Sequence, residues 1–221
     1  MKNAAVIQAA GKGSRFHSGQ YKLLTPVNGK PMVIRTLETV LAAGFDEVAA
    51  VIGAHADEMR AALKDFPVRV IENMAWELGQ STSLSAGMRA IQHSSDRVCL
   101  LLGDQPFLKA ETLCALLEES DKFPDEIIVP FYKGMRGNPI IVPSRYYERL
   151  LDLTGGDEGG KKLLKEAGYH VLSVEDPGIL RDIDTIEDLE KFEKGFRCQV
   201  SGYSDSDINA ALVNPDLEYK L

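Results

Sequence analysis

The chain is poor in the residues that mark several large classes of protein. Its 221 residues include only three cysteines, Cys99, Cys114 and Cys198. They lack the spacing of a metal site and cannot all pair, so we expect reduced thiols and a cytoplasmic protein. No apolar run approaches the roughly 18 residues of a membrane span. No secretory signal is visible before the first predicted strand, and with no apolar run of that length we expect no membrane partner.

The chain also lacks an excess of positive charge. Its formal net charge is −8, with 25 basic and 33 acidic residues. Proteins that bind nucleic acids usually carry a basic surface, so no nucleic-acid partner is expected. The basic residues are therefore expected to act locally, on a small anionic substrate.

A basic, glycine-rich loop follows the first apolar segment. The segment 4–7 leads into Ala9-Ala10-Gly11-Lys12-Gly13-Ser14-Arg15, and Lys22 follows shortly after. Glycines allow positive φ and close approach of the backbone, and successive N–H groups can form a concave anion site. Arg15 and Lys22 add two positive charges. The pattern predicts a phosphate-binding loop for a nucleotide.

Two common nucleotide loops do not fit this pattern. The P-loop requires five positions from its first glycine to the second, whereas Gly11 and Gly13 are two apart. The dinucleotide-binding loop requires a third glycine where this chain has Phe16. A nicotinamide-dependent oxidoreductase is therefore disfavoured.

Strand-like and helix-like segments alternate along the chain. We expect strands at 4–8, 48–52, 68–71, 98–102, 127–130, 139–142 and 170–174, with 139–142 antiparallel, and helices around 33–44, 54–65, 84–91, 113–117, 146–153 and 158–167. Such alternation predicts an α/β fold, a single three-layer α/β/α domain with a mostly parallel, Rossmann-like sheet. The domain is expected to cover 1–196, followed by a tail at 197–221 of unassigned role.

An aspartate follows the apolar strand expected at 98–102. In an open α/β sheet, ligands bind beyond the carboxyl ends of the strands, where both Asp104 and the glycine-rich loop are expected. Mg²⁺ in proteins takes one or two carboxylates together with phosphate oxygens and water. Asp104 fits that role, and an aspartate that caps a turn or a helix is the less favoured alternative.

A second acidic cluster lies at 181–189. Thr185 and Asp188 have the spacing of a helix capping box. Asp182 and Asp184 would lie on one side of an extended segment, because side chains alternate there. Either could join Asp104 at a metal, or both could only order the start of the helix.

Six motifs in order resemble the MobA-like nucleotidyltransferases, and most of all the branch that contains molybdenum cofactor cytidylyltransferases. They are A-A-G-K-G-S-R with K-L-L, N-x-x-W-x-x-G-x-S-x-S-L-x-x-G from Asn73, L-G-D-Q-P from Leu102, P-x-Y-x-G-x-R-G-N-P from Pro130, G-D-x-G from Gly156, and D-I-D-T-x-E-D-L from Asp182. The resemblance covers about 4–196.

The resemblance implies transfer of a nucleoside monophosphate from a nucleoside triphosphate to a phosphate acceptor, with Mg²⁺ as cofactor and pyrophosphate as product. The A-A-G form of the loop points to CTP, since the Ala10 methyl would suit a pyrimidine better than a purine. The acceptor would be a molybdopterin-type cofactor, and a molybdenum hydroxylase could receive the product.

The resemblance also implies roles for individual residues. Arg15 and Lys22 would act on the phosphates, and Lys22 is expected to be a loop lysine with little buried packing. The implied nucleotide-binding residues are Ala9, Ala10, Gly11, Gly13, Arg15, Lys22, Gly79, Ser81, Ser83 and Gly103; the metal ligands are Asp104, Asp184 and Asp182; and the acceptor-binding residues are Gly137, Asn138 and Asp157.

Two alternatives remain open on the sequence. The acceptor could be another small phosphate, such as a sugar or polyol phosphate. The chain could also be a non-catalytic protein that hands a cofactor to a molybdenum hydroxylase. The presence of Arg15, Lys22, Asp104 and Asp184 together favours catalysis, because binding alone has no evident need for metal-binding carboxylates.

Overall fold

A computed structural model describes residues 1–16, 21–152 and 159–192. Its main strands are β1 (Asn3–Ala9), β4 (Glu47–Ile52), β5 (Arg69–Glu72), β6 (Arg97–Leu102), β7 (Ile128–Tyr132), β9 (Ile140–Pro143) and β10 (His170–Ser173). Short strands are β2 (Pro26–Val27), β3 (Lys30–Pro31) and β8 (Met135–Arg136).

Helices connect most of these strands. They are α1 (Met32–Ala42), α2 (Ala56–Leu63), α3 (Gln80–Ile91), α4 (Ala110–Lys122), α5 (Tyr147–Asp152) and α6 (Gly159–Ala167). A further helical segment covers 186–192. No helix in the described ranges is both long and apolar enough to cross a membrane.

One large sheet runs in the order β10-β7-β9-β6-β1-β4-β5, and β8 pairs with β7. β1 pairs in parallel with β4 and β6, whereas β9 is antiparallel to β6 and β7. The expected mostly parallel sheet and the antiparallel direction of 139–142 are confirmed. Because β1 lies between β4 and β6, the loop after β1 is flanked by the ends of both strands.

Two apolar cores lie on opposite faces of the sheet. On β1, Ala5 and Ile7 contribute to one core, and Ala4 and Val6 to the other. This alternation follows from the period of two in a strand. Residues of α1, α2 and α4 fill the first core, and residues of α3, α5 and α6 fill the second. The three-layer architecture is therefore confirmed.

The expected element boundaries hold to within a few residues. The clearest difference is the helix expected at 54–65, which begins at Ala56 because His55 adopts a left-handed φ of 66° that a helix cannot include. The helix expected to reach 153 is described as far as Asp152, and the helix expected from 158 is described from Gly159. Residues 153–158 lie between them. That segment, with Asp157, and the tail with Cys198 lie outside the described residues.

The segment after β10 returns to the carboxyl end of β6. The Asp176 carboxylate accepts hydrogen bonds from Lys109 N (3.0 Å), Thr112 Oγ1 (2.7 Å) and Gly178 N (2.8 Å). Further along, Ile183 N donates to Asp104 O at 3.0 Å. These contacts bring the second acidic cluster beside Asp104, although the two are far apart in sequence.

Candidate active site

A cavity of about 350 Å³ opens at the carboxyl ends of the central strands. One side is the glycine-rich loop, and the other is the start of α3 with the segment before it. The acidic residues close the third side. The cavity is lined by residues 8–15, 22–23, 76–77, 79–80, Ser83, Leu102, Asp104, Asp182 and Asp184.

Tyr21 holds the glycine-rich loop from the protein interior. Its hydroxyl lies 2.8 Å from Gly11 O and 3.2 Å from Ala9 O, and its ring stacks on His55 with centroids 4.4 Å apart. Burial raises the pKa of Tyr21, with smaller contributions from Asp104 and Glu58, so the hydroxyl stays a donor. We did not single out Tyr21 from the sequence, because nothing local distinguishes this tyrosine from one in a core.

Gly13 lets the loop pass close to the stem of Lys22. Its φ is +64°, and a Cβ built there would lie 2.7 Å from the Lys22 Cβ. A side chain at position 13 would therefore require the loop and Lys22 to separate. This close approach is the local reason why the second glycine of the loop, Gly13, is a glycine.

Lys22 lies at the centre of an ionic cluster. Its Nζ is 2.7 Å from Asp104 Oδ2 and 2.9 Å from Asp184 Oδ1. Burial alone would lower the pKa of Lys22, but the charges and hydrogen bonds of the two aspartates outweigh it, and the pKa is raised. Arg15 contacts Asp184 from the solvent side, and Arg15 Nη2 lies 3.1 Å from Asp184 Oδ2.

The structure corrects one expectation about Lys22. The sequence predicted a loop lysine with little buried packing, whereas only 8% of its side chain is exposed. Lys22 opens a short 3₁₀ turn, Lys22–Leu24, and its stem packs beneath the loop. Replacing it with alanine would therefore remove packing and leave two carboxylates without their cation.

The three expected metal ligands face the same cavity. Burial, followed by the nearby charges of Asp104 and Asp184, raises the pKa of Asp182 to about 7. Among the described residues, Asp104 Oδ1 is buried and has no hydrogen-bond partner. A divalent cation bound here would reduce the repulsion between the carboxylates and would give the unpaired oxygen a partner.

These residues fit Mg²⁺ as part of a larger ligand set. No group of three or more His, Cys, Asp and Glu side chains in the described ranges is placed to hold a metal on its own. Mg²⁺ usually takes one or two protein carboxylates and completes its octahedron with substrate phosphates and water. Asp104 with Asp184 or Asp182 meets that requirement.

The capping box at the second acidic cluster is confirmed. Thr185 N donates to Asp188 Oδ2 at 2.9 Å, and Asp188 N donates to Thr185 Oγ1 at 3.1 Å. Asp182 and Asp184 are not part of that reciprocal pair and instead line the cavity. The box fixes where the helix starts, and thereby where the two aspartates lie.

The start of α3 forms the opposite side of the cavity. Gly79 has φ of 114°, which allows the chain to turn from the 3₁₀ segment Trp76–Leu78 into the helix. Asn73 Nδ2 donates to Thr82 Oγ1 at 2.8 Å and to Ser83 Oγ at 3.0 Å. The helix has neither an acidic residue in its first turn nor a side-chain cap. Thr82 N donates to Gly79 O at 3.2 Å, so the N–H groups before it and the positive dipole end are the ones available near the cavity.

Ala10 lies in a confined part of the cavity wall. A Cβ at Gly53 would lie 2.9 Å from the Ala10 Cβ and 2.7 Å from the Trp76 Cβ. Ala54 N also donates to Ala10 O at 3.0 Å. The Ala10 methyl is therefore held in place by β4 and by the segment before α3.

Comparison with known proteins decides the family. The MobA-like NTP transferase domain model matches residues 5–171, which is most of the chain. The chain belongs to the MobA-like NTP transferase family. The match covers the glycine-rich loop, Asp104 and the start of α3, and it ends before Asp182 and Asp184.

The relatives of this MobA-like transferase have varied names. It is 34% identical to the purine catabolism protein PucB of Bacillus subtilis, over 84% of this chain and 93% of the relative. It is 30% identical to nicotine blue oxidoreductase of Paenarthrobacter nicotinovorans, over 83% and 93% of the two chains. The name of the second relative thus describes an oxidoreductase, whereas the family is named for NTP transfer.

Solved structures agree with the family and the fold. A nucleotidyl transferase from Methanothermobacter has a TM-score of 0.76 and 27% identity, over 90% of this chain and 99% of the other. The Mycobacterium tuberculosis protein Rv0371c, in a complex with manganese, has a TM-score of 0.70 and 28% identity, over 86% and 97%.

Several residues expected at the site of a MobA-like transferase do not line this cavity. Ser81 is buried in α3, and Gly103 lies below the loop, where its N donates to Gln8 O at 2.9 Å. Gly137 and Asn138 pack against Ile179. Asp157 lies outside the described residues. The other expected nucleotide and metal residues all line the cavity.

The cavity also includes residues that the sequence analysis did not assign to it. They are Gln8, Lys12, Ser14, Leu23, Trp76, Glu77, Gln80 and Leu102. The Trp76 side chain both packs on the second core and lines the cavity. Of the others, Lys12, Ser14, Leu23 and Leu102 are members of the quoted motifs, and Gln8, Glu77 and Gln80 are sequence neighbours of motif residues.

Proposed function

We propose that this protein transfers CMP from CTP to a phosphate group on a molybdopterin-type cofactor. An oxygen of the acceptor phosphate attacks the α-phosphorus of CTP, the bond between that phosphorus and the bridging oxygen to the β-phosphate breaks, and pyrophosphate leaves. The observation that supports this reaction is the meeting of a basic glycine-rich loop and three carboxylates at one cavity.

The glycine-rich loop would bind the triphosphate. Arg15 and the backbone N–H groups of the loop would hold the β- and γ-phosphates, and Lys22 would stabilise charge at the α-phosphate. The protein needs no covalent intermediate for this reaction, because positioning and charge stabilisation lower the barrier. Tyr21 would keep the loop in its binding shape through Ala9 O and Gly11 O.

Asp104, with Asp184 or Asp182, would hold Mg²⁺. When bound, the ion would neutralise triphosphate charge and favour departure of pyrophosphate. The Mycobacterium tuberculosis neighbour Rv0371c forms a complex with manganese, which supports a divalent cation in proteins of this kind. The raised pKa of Asp182 and the unpaired Asp104 Oδ1 support the same location here.

The start of α3 and Ala10 would select the nucleoside. Gly79, Gln80 and Ser83 face the cavity from the side opposite the acidic residues and would contact the base or ribose. The Ala10 methyl is confined by Gly53 and Trp76 and cannot move aside easily. A pyrimidine beside it needs less room than a purine, which favours CTP over GTP.

The acceptor is assigned from the quoted motifs. A molybdopterin-type acceptor and a molybdenum hydroxylase as recipient rest on the motif resemblance, and Gly137, Asn138 and Asp157 would contact the acceptor. A sugar or polyol phosphate and a non-catalytic role in handing on a cofactor are the competing hypotheses. The relative named nicotine blue oxidoreductase adds a reason to include a redox assay.

The deciding experiment is pyrophosphate release from each of CTP, GTP, ATP and UTP. The purified protein is incubated with Mg²⁺ and with molybdopterin-type cofactor, a sugar phosphate or a polyol phosphate in separate reactions. A parallel reaction follows oxidation of NADH and NADPH with an electron acceptor and no nucleoside triphosphate.

We expect release from CTP with the molybdopterin-type acceptor only. Release from GTP instead would refute the role of Ala10 but keep the reaction. Release only with a sugar or polyol phosphate would replace the acceptor. Nicotinamide oxidation without pyrophosphate release from any triphosphate would refute the proposed function.

A further inference from the structure

The groups expected to bind phosphate and those expected to bind metal are paired with one another. Lys22 Nζ lies between Asp104 Oδ2 and Asp184 Oδ1, at 2.7 and 2.9 Å. Arg15 contacts the other oxygen of Asp184 at 3.1 Å. Each cation is thus bound to a carboxylate, and two of the three carboxylates are bound to a cation.

The Lys22 ammonium lies between the two carboxylate oxygens that a divalent cation would bind. Mg²⁺ bonds its oxygen ligands at about 2.0–2.1 Å. An ion bound to both Asp104 Oδ2 and Asp184 Oδ1 would therefore have to replace the ammonium, and its charge would repel an ammonium that stayed nearby. Since only 8% of the Lys22 side chain is exposed, water cannot screen that repulsion well.

We propose that Lys22 blocks the divalent-cation site of the free protein, and that the site becomes available only when a triphosphate draws Lys22 away. The proposal rests on the proposed function, because it requires a triphosphate beside the glycine-rich loop. The phosphates would give Lys22 an alternative anionic partner and would complete the ligand set of the ion. Cation and nucleotide would then bind cooperatively, each raising the affinity for the other by the same factor.

Arg15 and Lys22 contribute unequally to this competition. Arg15 is 57% exposed, so it can leave Asp184 without disturbing the core. Lys22 is held by its buried stem beneath the loop, so only the end of its side chain can move. Lys22 is therefore the residue whose removal should open the cation site.

The test measures Mn²⁺ binding without any nucleotide. Mn²⁺ is titrated into the wild type and into Lys22→Met, and free Mn²⁺ is followed by electron paramagnetic resonance. Methionine keeps most of the stem and removes the charge. The matched control is Lys30→Met, because Lys30 forms an exposed pair with Glu38 and its loss changes the net charge equally. Circular dichroism and a melting curve establish that each variant is folded.

We expect Lys22→Met to bind Mn²⁺ at least tenfold more tightly than the wild type and Lys30→Met. The double variant Lys22→Met with Asp104→Asn should lose that gain. If Lys22→Met is unfolded, Lys22→Gln replaces it in the same titration. Equal Mn²⁺ affinity in the wild type and the folded Lys22 variant would overturn the proposal, and so would a gain that survives Asp104→Asn.

The titration is independent of turnover. A gain in Mn²⁺ affinity in Lys22→Met together with no pyrophosphate release by the wild type would overturn the proposed function and keep the competition at the cation site. Pyrophosphate release together with unchanged Mn²⁺ affinity would overturn the competition alone.

Discussion

At the scale of single residues, Tyr21 is the contact that most directly controls the shape of the glycine-rich loop. Tyr21→Phe removes the hydroxyl that lies within hydrogen-bonding distance of Gly11 O and Ala9 O. A hydrogen bond contributes about 0.5–1.5 kcal/mol net. We therefore expect KM for CTP to rise roughly two- to tenfold, with a smaller change in kcat, in steady-state kinetics.

Tyr147→Phe is the matched control for that variant. The Tyr147 hydroxyl is 3.0 Å from Ser95 Oγ, in the other core and away from the cavity. Both variants lose one hydroxyl from a buried tyrosine, so a purely structural effect would appear in each. Equal KM values in Tyr21→Phe and wild type would refute the role assigned to Tyr21.

Asp182 should reduce the stability of the protein in the absence of ligands. Its pKa is raised from 3.8 to about 7 by burial and by Asp104 and Asp184. Between these values the folded state keeps a proton that the unfolded state releases, so stability falls as the pH rises. Asp182→Asn removes this loss, and we expect it to be more stable than the wild type by on the order of 2 kcal/mol at pH 8, but not at pH 4.

Chemical denaturation at a series of pH values measures this difference. The exposed residue Asp65 provides the control, since Asp65→Asn makes the same change away from the cavity. A stability difference between Asp182→Asn and the wild type that stays constant from pH 4 to pH 8 would contradict the prediction.

At the scale of elements, the start of α3 depends on the backbone of Gly79. Its φ of 114° lies in a region that other residues rarely adopt. Gly79→Ala should therefore shift the turn that leads into Gln80 and Ser83. We expect a stability loss of about 1–3 kcal/mol, measured by denaturation, and a clear rise in KM for CTP.

Gly44→Ala separates these two effects. Gly44 follows α1 with φ of 79°, and nothing lies within 4 Å of an added Cβ there. It should lose stability for the same backbone reason and leave KM unchanged. A KM that rises equally in both variants would show that the effect at Gly79 is global.

The elements themselves were largely predictable because they follow local rules. The run Arg97–Leu102 is buried at every position, as expected for a strand in the middle of a sheet, and β1 alternates between two cores. The exception at His55 shows the limit of such rules. Its left-handed backbone and its stacking on Tyr21 depend on a partner distant in sequence.

At the scale of the whole molecule, the site residues could be listed from motifs, but their pairing could not. Lys22 contacts Asp104 and Asp184, which are 82 and 162 positions away. A local pattern cannot show that a lysine beside a loop is buried between two distant carboxylates. The same limit applies to Ser81, whose motif position says nothing about which way its side chain faces.

Because three distant parts of the chain meet at the cavity, its ligand should stabilise the entire fold. A ligand that binds only the folded state adds about 2.7 kcal/mol at a concentration 100 times its Kd. With Mg²⁺ present, CTP should raise the melting temperature, and the purine nucleotides GTP and ATP should raise it less because of Ala10. The shift should shrink in Lys22→Met, which loses a phosphate contact, and persist in Lys30→Met. Equal shifts with CTP, GTP and ATP would contradict selection by Ala10, whereas an undiminished shift in Lys22→Met would exclude Lys22 from triphosphate binding.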